Sequence, residues 1–259
     1  MIVLNSPEFL FLAVALIPVN WFFEWKKWCL ITKDTRHENR RNSFFAGIVS
    51  SMFTPALVGQ LAGRYLFSES MDRAKVTIMT LQSNFSQFLV TLFFGFIAVI
   101  FLEQSILNDV TITAVGGLGL LLIVIYFFPF RFLQRVIGDT VLHLAENPIR
   151  FRFLLFSLLR HLVFSCQFYC VLLAFEADAS RDLLLWIWII YLLVTLVPSL
   201  FLGKLLIRES IAVFVLTNAG LGIQNWVVLI SSLTIWTINL LIPSVIALFL
   251  LRSFQAHQK

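Results

Sequence analysis

Between Ser210 and Leu251 the chain has no Asp, Glu, Lys or Arg. Charge is scarce elsewhere too: charged residues are 13% of the 259, whereas a soluble domain carries about 25%. That is too little polar surface to cover a water-facing exterior, so an ordinary soluble domain is excluded. The hydrophobic share of 59% and a mean hydropathy of +0.91 name the alternative solvent, lipid. Cysteine is nearly missing. Cys29, Cys166 and Cys170 are too few and too dispersed for a disulfide framework. Cys166 and Cys170 lie one turn apart with His161 nearby, but thiols in such a setting more often serve as small hydrophobes than as metal ligands.

Motifs of soluble enzymology are absent as well. There is no Walker sequence, no dinucleotide fingerprint, no His-Glu-x-x-His and no Gly-x-Ser-x-Gly elbow. The polar loops are too short to house a nucleotide-binding domain. No enzymatic activity, catalytic residue, metal or cofactor is therefore expected. The pI near 9.4 does not indicate a nucleic-acid partner, because no soluble basic domain carries the charge. It reads instead as a topology signal.

Long uncharged runs are what the chain does have: Val76–Leu102, Val110–Phe130, Leu183–Gly203 and Ser210–Leu251. A helix needs roughly 20 apolar residues to cross the hydrocarbon core. The runs are continuous rather than alternating, which indicates helices and not barrel strands. Phe9–Phe23 is read as an uncleaved first span, followed by Lys26 and Lys27. Lys and Arg then alternate between loops: six in 26–42, none in 103–109, four in 131–152, and one against three acids in 176–182. The positive-inside rule places 26–42 and 131–152 in the cytoplasm and the acidic loops outside. Residues 131–147 have an amphipathic pattern suited to lying along the inner leaflet. Asp139, His143 and Glu146 there fit a solvated face better than a metal site.

Residues 43–67 are apolar enough to cross once, but a crossing would invert every later loop. They also carry Gly47, Pro55, Gly59 and Gly63, which interrupt a smooth helix. The expectation is a re-entrant hairpin that enters and leaves on the cytoplasmic side. A second stretch, about 203–222, repeats the arrangement. Pro55, Gly59, Arg64 and Glu69 in the first correspond to Pro198, Gly203, Arg208 and Glu209 in the second. Interrupted segments in matching places point to a transporter's binding site. The fold expected is therefore an all-α integral membrane protein, a bundle of about six transmembrane helices plus two re-entrant helical hairpins. It forms one polytopic domain over 1–259, with a weak internal repeat relating about 9–102 to 183–251.

Charged groups inside a membrane are costly and face polar surroundings. Arg64, Arg160, Arg208 and Glu209 stand out. The fixed fork of an arginine suits a phosphate, while the bland alternative is snorkelling to the interface. Both readings stay open for Arg64 and Arg208; for Arg160 snorkelling is the expectation. Adjacent residues on a helix do not face each other, so Arg208 is expected to face a ligand while Glu209 pairs elsewhere, with Arg64 the nearest candidate. Thr80, Asn84, Gln87 and Thr91 form a polar stripe, and Asn225, Ser232 and Asn239 another. Either stripe suits interhelical hydrogen bonds or a cavity lining. Gly59, Gln60, Arg64, Asn84, Gln87, Gly203, Arg208 and Glu209 are the candidate binding residues.

Several of these stretches resemble one family. WFFEWKKWCLI is similar to the signature that opens the lysylphosphatidylglycerol synthase transmembrane region, the flippase-like domain. SFFAGIVSSMFTPALVGQLAGRYLF resembles its Pro-x-x-x-Gly-Glu-x-x-Arg stretch, with Gln60 standing where the family usually has Glu. GKLLIRESIAVFVLTNAGL resembles its Gly-Val-Arg-Glu segment, and NLLIPSVIALFLL its closing helix. The resemblance implies a multi-pass bacterial or archaeal membrane protein associated with moving lipids or lipid-linked substrates between leaflets. Without a synthase domain, aminoacyl transfer is not implied. The function expected is a lipid flippase or transporter for an anionic phospholipid or lipid-linked envelope precursor, in the bacterial cytoplasmic membrane. The alternative is a non-catalytic subunit or assembly factor of an envelope lipid or glycan pathway. Expected partners are membrane lipids with anionic headgroups and other envelope-biosynthesis membrane proteins.

Overall fold

A computed structural model describes residues 6–33, 37–53, 56–66, 73–102, 109–127, 147–175, 178–197 and 201–256. Every regular element among them is helical. Pro55, Glu69, Pro198 and the amphipathic stretch up to residue 146 lie outside the described residues. Four segments are long and apolar enough to cross a membrane: Pro7–Ile31, Arg73–Phe101, Pro148–Ala174 and Asn225–Arg252. The other two expected spans form helices of 19 and 16 residues, Asp109–Phe127 and Arg181–Leu196.

Helix α1 (Pro7–Ala15) starts with Pro7, whose missing N–H would have no partner in a first turn anyway. Leu16 joins it to α2 (Ile17–Ile31), and the ladder continues through the junction because the Asn20 amide bonds the Leu16 carbonyl at 3.1 Å. The first span therefore extends to Ile31 and not to Phe23, which moves Lys26 and Lys27 from the expected loop into the helix. Exposure separates the two: Lys26 faces outward, while Lys27 is 1% exposed.

Next come α3 (His37–Phe53) and α4 (Ala56–Tyr65), two helices that flank Pro55 and pack closely on each other. Small residues permit the approach. A Cβ added at Gly63 would lie 2.0 Å from Ser50 Oγ and 2.2 Å from the Ala46 carbonyl oxygen. Ser50 Oγ is 2.6 Å from the carbonyls of both Ala46 and Gly59, so the hairpin's two arms also share a hydroxyl.

Helices α5 (Arg73–Phe101), α6 (Asp109–Phe127), α7 (Asn147–Ala174) and α8 (Arg181–Leu196) follow. Ser180 caps α8 by accepting from the Leu183 amide at 3.1 Å. Helix α9 (Phe201–Asn218) is unbroken for 18 residues, since it contains no proline and Gly203, in its first turn, is its one glycine. Arg208 and Glu209 thus sit mid-helix and not at the edge of a half-helix. The chain turns after Asn218, where Gly220 and Gly222 take φ of 69° and 68°, values that favour glycine.

The last span is α10 (Asn225–Trp236), a π-helical turn (Thr237–Leu241) and α11 (Ile242–Ala256). Pro243 has no N–H for the Asn239 carbonyl one turn earlier, and its ring crowds that oxygen, so the helix widens just before it.

Two apolar cores result. The larger joins Ala13 and Ile17 to Phe168, Val171, Leu172, Leu183, Ile187, Leu216 and Val228. The smaller joins Trp28, Ile31, Phe44, Val76, Met79 and Phe153. Helix α2 feeds both, Ile17 into one and Trp28 into the other, and its middle, Asn20 to Lys27, lies between them. The exterior is apolar: Phe11, Phe22, Phe93, Phe214 and Phe249 are all exposed. Buried polar groups inside an apolar exterior suit a lipid solvent.

The close hairpin contact is testable. Gly63→Val should lower unfolding stability in detergent by about 1–3 kcal/mol, because the obstructing atoms include backbone. Gly117→Ala, with nothing within 4 Å of its added Cβ, should be neutral or stabilising. Equal thermal midpoints for Gly63→Val and the parent would show that the two arms do not touch this closely.

Candidate functional site

The middle of α2 carries Asn20, Glu24 and Lys27 at four- and three-residue steps, so all three share the buried face with Ile17 and Ile31. Glu24 is its hub. Its Oε1 accepts from Arg64 Nη2 at 3.3 Å, and its Oε2 accepts from Arg160 Nη1 at 2.5 Å. Arg64 comes from α4, the shorter hairpin arm, and Arg160 from α7. One carboxylate therefore ties three separate helices together.

Each arginine has further partners. Arg64 Nη1 donates to Thr80 Oγ1 at 3.2 Å, and its guanidinium lies 4.3 Å from the centre of the Trp28 ring. A Cβ at Gly47 would come within 3.1 Å of Arg64 Cγ, so that glycine makes room for the side chain. Arg64 is 4% exposed, yet its Nε has no hydrogen-bond partner among the described residues. Arg160 Nε donates to Asn20 Oδ1 at 2.8 Å, and Asn20 Nδ2 donates in turn to Asn239 Oδ1 at 3.3 Å. Asn239 belongs to the π-helical turn, and its own Nδ2 is buried without a partner among the described residues. A continuous polar line thus runs from Thr80 through Arg64, Glu24, Arg160 and Asn20 to Asn239.

Lys27 points from the same face toward α5 and α7. Its Nζ donates to the Ser83 carbonyl and to Ser157 Oγ, both at 3.1 Å. Ser157 and Ser86 hydroxyls are 2.7 Å apart, which closes a small polar staple between those helices. Both acceptors of Lys27 are neutral.

The sequence candidates divide between two places. Gln60 lies next to the cluster, with its Oε1 accepting from Asn84 Nδ2 at 3.4 Å, and the Gly59 carbonyl is engaged by Ser50. Gln87 shares the α5 stripe, and its Oε1 is buried without a partner among the described residues. Gly203 lies in the first turn of α9. Arg208 and Glu209 form a separate pair: Arg208 Nη2 donates to Glu209 Oε1 at 2.5 Å and to the Ser232 carbonyl at 2.9 Å.

Two expectations are overturned here. Arg208 and Glu209 do meet, because the long arginine side chain bends around the helix to reach its neighbour, and the partner of Arg64 is Glu24. Arg160 does not snorkel; in a lipid-embedded bundle a buried carboxylate offers it more than the distant interface does.

Sequence reasoning missed Asn20, Glu24 and Lys27 because the first span was ended at Phe23. The 20, 24, 27, 31 spacing was available, and it is the same signal that exposed the Thr80–Asn84–Gln87 stripe. Cys166 and Cys170 approach with sulfurs 4.0 Å apart, while His161 stacks on Phe94 at 4.8 Å. No group of three or more metal-ligating residues is gathered among the described residues.

Removing the hub should be costly. Glu24→Ala strands the buried Arg64 and the half-buried Arg160 and should destabilise the protein by about 3–5 kcal/mol. The readout is thermal unfolding in detergent, with Glu24→Ala/Arg160→Ala expected to recover part of the loss. A Glu24→Ala protein as stable as the parent would remove the carboxylate from its place as hub.

Residues 3–247, nearly the whole chain, match the family described as Lysylphosphatidylglycerol synthase TM region. No curated protein and no solved structure matches the chain. A multi-pass helical membrane protein with this match over almost its full length is a member: the chain belongs to the lysylphosphatidylglycerol synthase TM region family.

Proposed function

We propose that the chain binds an anionic lipid headgroup at Arg64 and Arg160 and moves that lipid, a phospholipid or a lipid-linked envelope precursor, between leaflets of the bacterial cytoplasmic membrane. Family membership supports a role in lipid-related envelope pathways. One observation carries the finer reading. A buried arginine, Arg64, and a half-buried one, Arg160, converge from different helices on the two oxygens of one carboxylate, so Glu24 occupies the position that two phosphate oxygens would take. A headgroup entering the cluster would displace Glu24 from the longer of its contacts, the one to Arg64.

The hairpin supplies the moving part in this reading. Helix α4 has 10 residues, about 15 Å of helix, half the thickness of the hydrocarbon core. As the returning arm of a re-entrant hairpin that turns between α3 and α4, it would hold Arg64 in the cytoplasmic half of the membrane without crossing. Its hold on the bundle includes the Arg64 contacts to Glu24 and Thr80, so headgroup capture and hairpin position are linked. Arg208 is the weaker candidate because Glu209 and the Ser232 carbonyl already engage it.

Reconstitution tests this. In liposomes with fluorescent phosphatidylglycerol, the parent should speed transbilayer movement, and Arg64→Gln or Arg160→Gln should slow it at least about tenfold. Arg208→Gln should have a smaller effect. Headgroup binding by the parent without movement would favour a non-transporting pathway subunit instead. Movement unaffected by either substitution would reject the arginine site.

A further inference from the structure

Given an anionic headgroup at Arg64 and Arg160, its charge is constrained by Lys27. That side chain is 1% exposed and lies one turn beyond Glu24 on the same face of α2. It is within electrostatic reach of Glu24, Arg64 and Arg160. Its hydrogen bonds go to a carbonyl and a hydroxyl, so no carboxylate of its own cancels its charge. Apart from Arg64 and Arg160, the groups hydrogen-bonded around the cluster are uncharged: Thr80, Ser83, Asn84 and Ser86 from α5, Gln60 from α4, Ser157 from α7 and Asn239 from the π-helical turn.

Among the described residues, three cations (Lys27, Arg64, Arg160) therefore face one carboxylate, Glu24, and three minus one leaves two positive charges in excess. Such an excess in a low-dielectric interior calls for an anion that cancels it. The unpartnered Arg64 Nε, in a side chain 4% exposed, is a donor still available to such a ligand.

We infer that the site selects a doubly charged phosphate headgroup, a phosphate monoester or a pyrophosphate diester, over a singly charged phosphodiester. With a dianion bound the cluster is neutral. With a phosphodiester one positive charge remains buried without a counterion. Arg64 and Arg160 hold the phosphate oxygens, and Lys27 sets the charge the cluster tolerates from behind Glu24. This rests on the anion reading above and goes beyond it by naming the headgroup class.

The experiment uses the full chain in nanodiscs at pH 7, with phosphatidic acid and phosphatidylglycerol of identical acyl chains as probes. A phosphate monoester is largely doubly charged at that pH, its second pKa being about 6. The parent should bind phosphatidic acid about tenfold or more tightly than phosphatidylglycerol. Lys27→Met, with one positive charge fewer, should lose that preference. Equal binding of both lipids by the parent, or an undiminished preference in Lys27→Met, overturns the dianion assignment. The parent comparison stands even where Lys27→Met does not fold. Water-soluble glycerol phosphate competing as tightly as phosphatidic acid would overturn the assignment to a lipid. If Arg64→Gln binds both lipids as the parent does, the anion site itself falls, and the dianion with it.

Discussion

A carboxylate buried in a lipid-embedded bundle must be paired, and Glu24 meets that demand with one arginine on each oxygen. The consequence reaches well beyond the pair. Arg64 brings the short arm of the hairpin to α2, Arg160 brings α7, and Asn20 extends the line to the π-helical turn of the last span. Apolar attraction contributes little to association in lipid, where tails are as apolar as leucine. Close packing of small residues and interhelical hydrogen bonds take its place, and both are concentrated around this hub.

The packing is uneven in a way that leaves room for it. The larger core is built from long aliphatic and aromatic side chains on α1, α7, α8, α9 and α10. The smaller core clusters around Trp28 and Phe153. Between them the helices offer serines, asparagines and glycines rather than bulk, and the charged groups occupy that gap. Gly47 and Gly63 have one physical role at two points, removing a Cβ where an arginine stem or a facing helix must pass. The hairpin can therefore lie against α2 closely enough for Arg64 to span from Trp28 to Glu24.

The two places where ion pairs form among the described residues are not equivalent. Arg208 and Glu209 pair within a single helix and take one further contact, the Ser232 carbonyl from α10, while Arg208 Nε and Glu209 Oε2 have no partner among the described residues. Glu24 is shared between helices, and the charge around it is unbalanced by two positive units among the described residues. A balanced pair on one helix can remain intact whatever its neighbours do. A shared one holds only while α2, α7 and the hairpin arm that supplies Arg64 stay together.

Much of this was legible in the chain. Scarce charge and long apolar runs dictate helices in lipid, because the backbone must satisfy itself there, and that argument needs no tertiary information. The glycines flanking Pro55 marked the hairpin, and the resemblance over nearly all residues carried the family. Arg64 was legible too, as an isolated charge among apolar neighbours. Its partner was not. Glu24 sits beside Trp25, Lys26 and Lys27, and in sequence such a cluster looks like the water-facing end of a span. Only the packing of α2 against α5 and α7 turns Lys27 inward and leaves Lys26 outside, because the helical rotation between neighbours is fixed but the direction of the buried face depends on what it meets. The Arg208–Glu209 pair shows the same limit, since spacing on a helix fixes where side chains start while the reach of an arginine decides where they end. The sequence determined the solvent, the helices and the charges available; which charge meets which was decided by the folded bundle, since a low dielectric makes each buried ion seek the nearest counterion that packing permits.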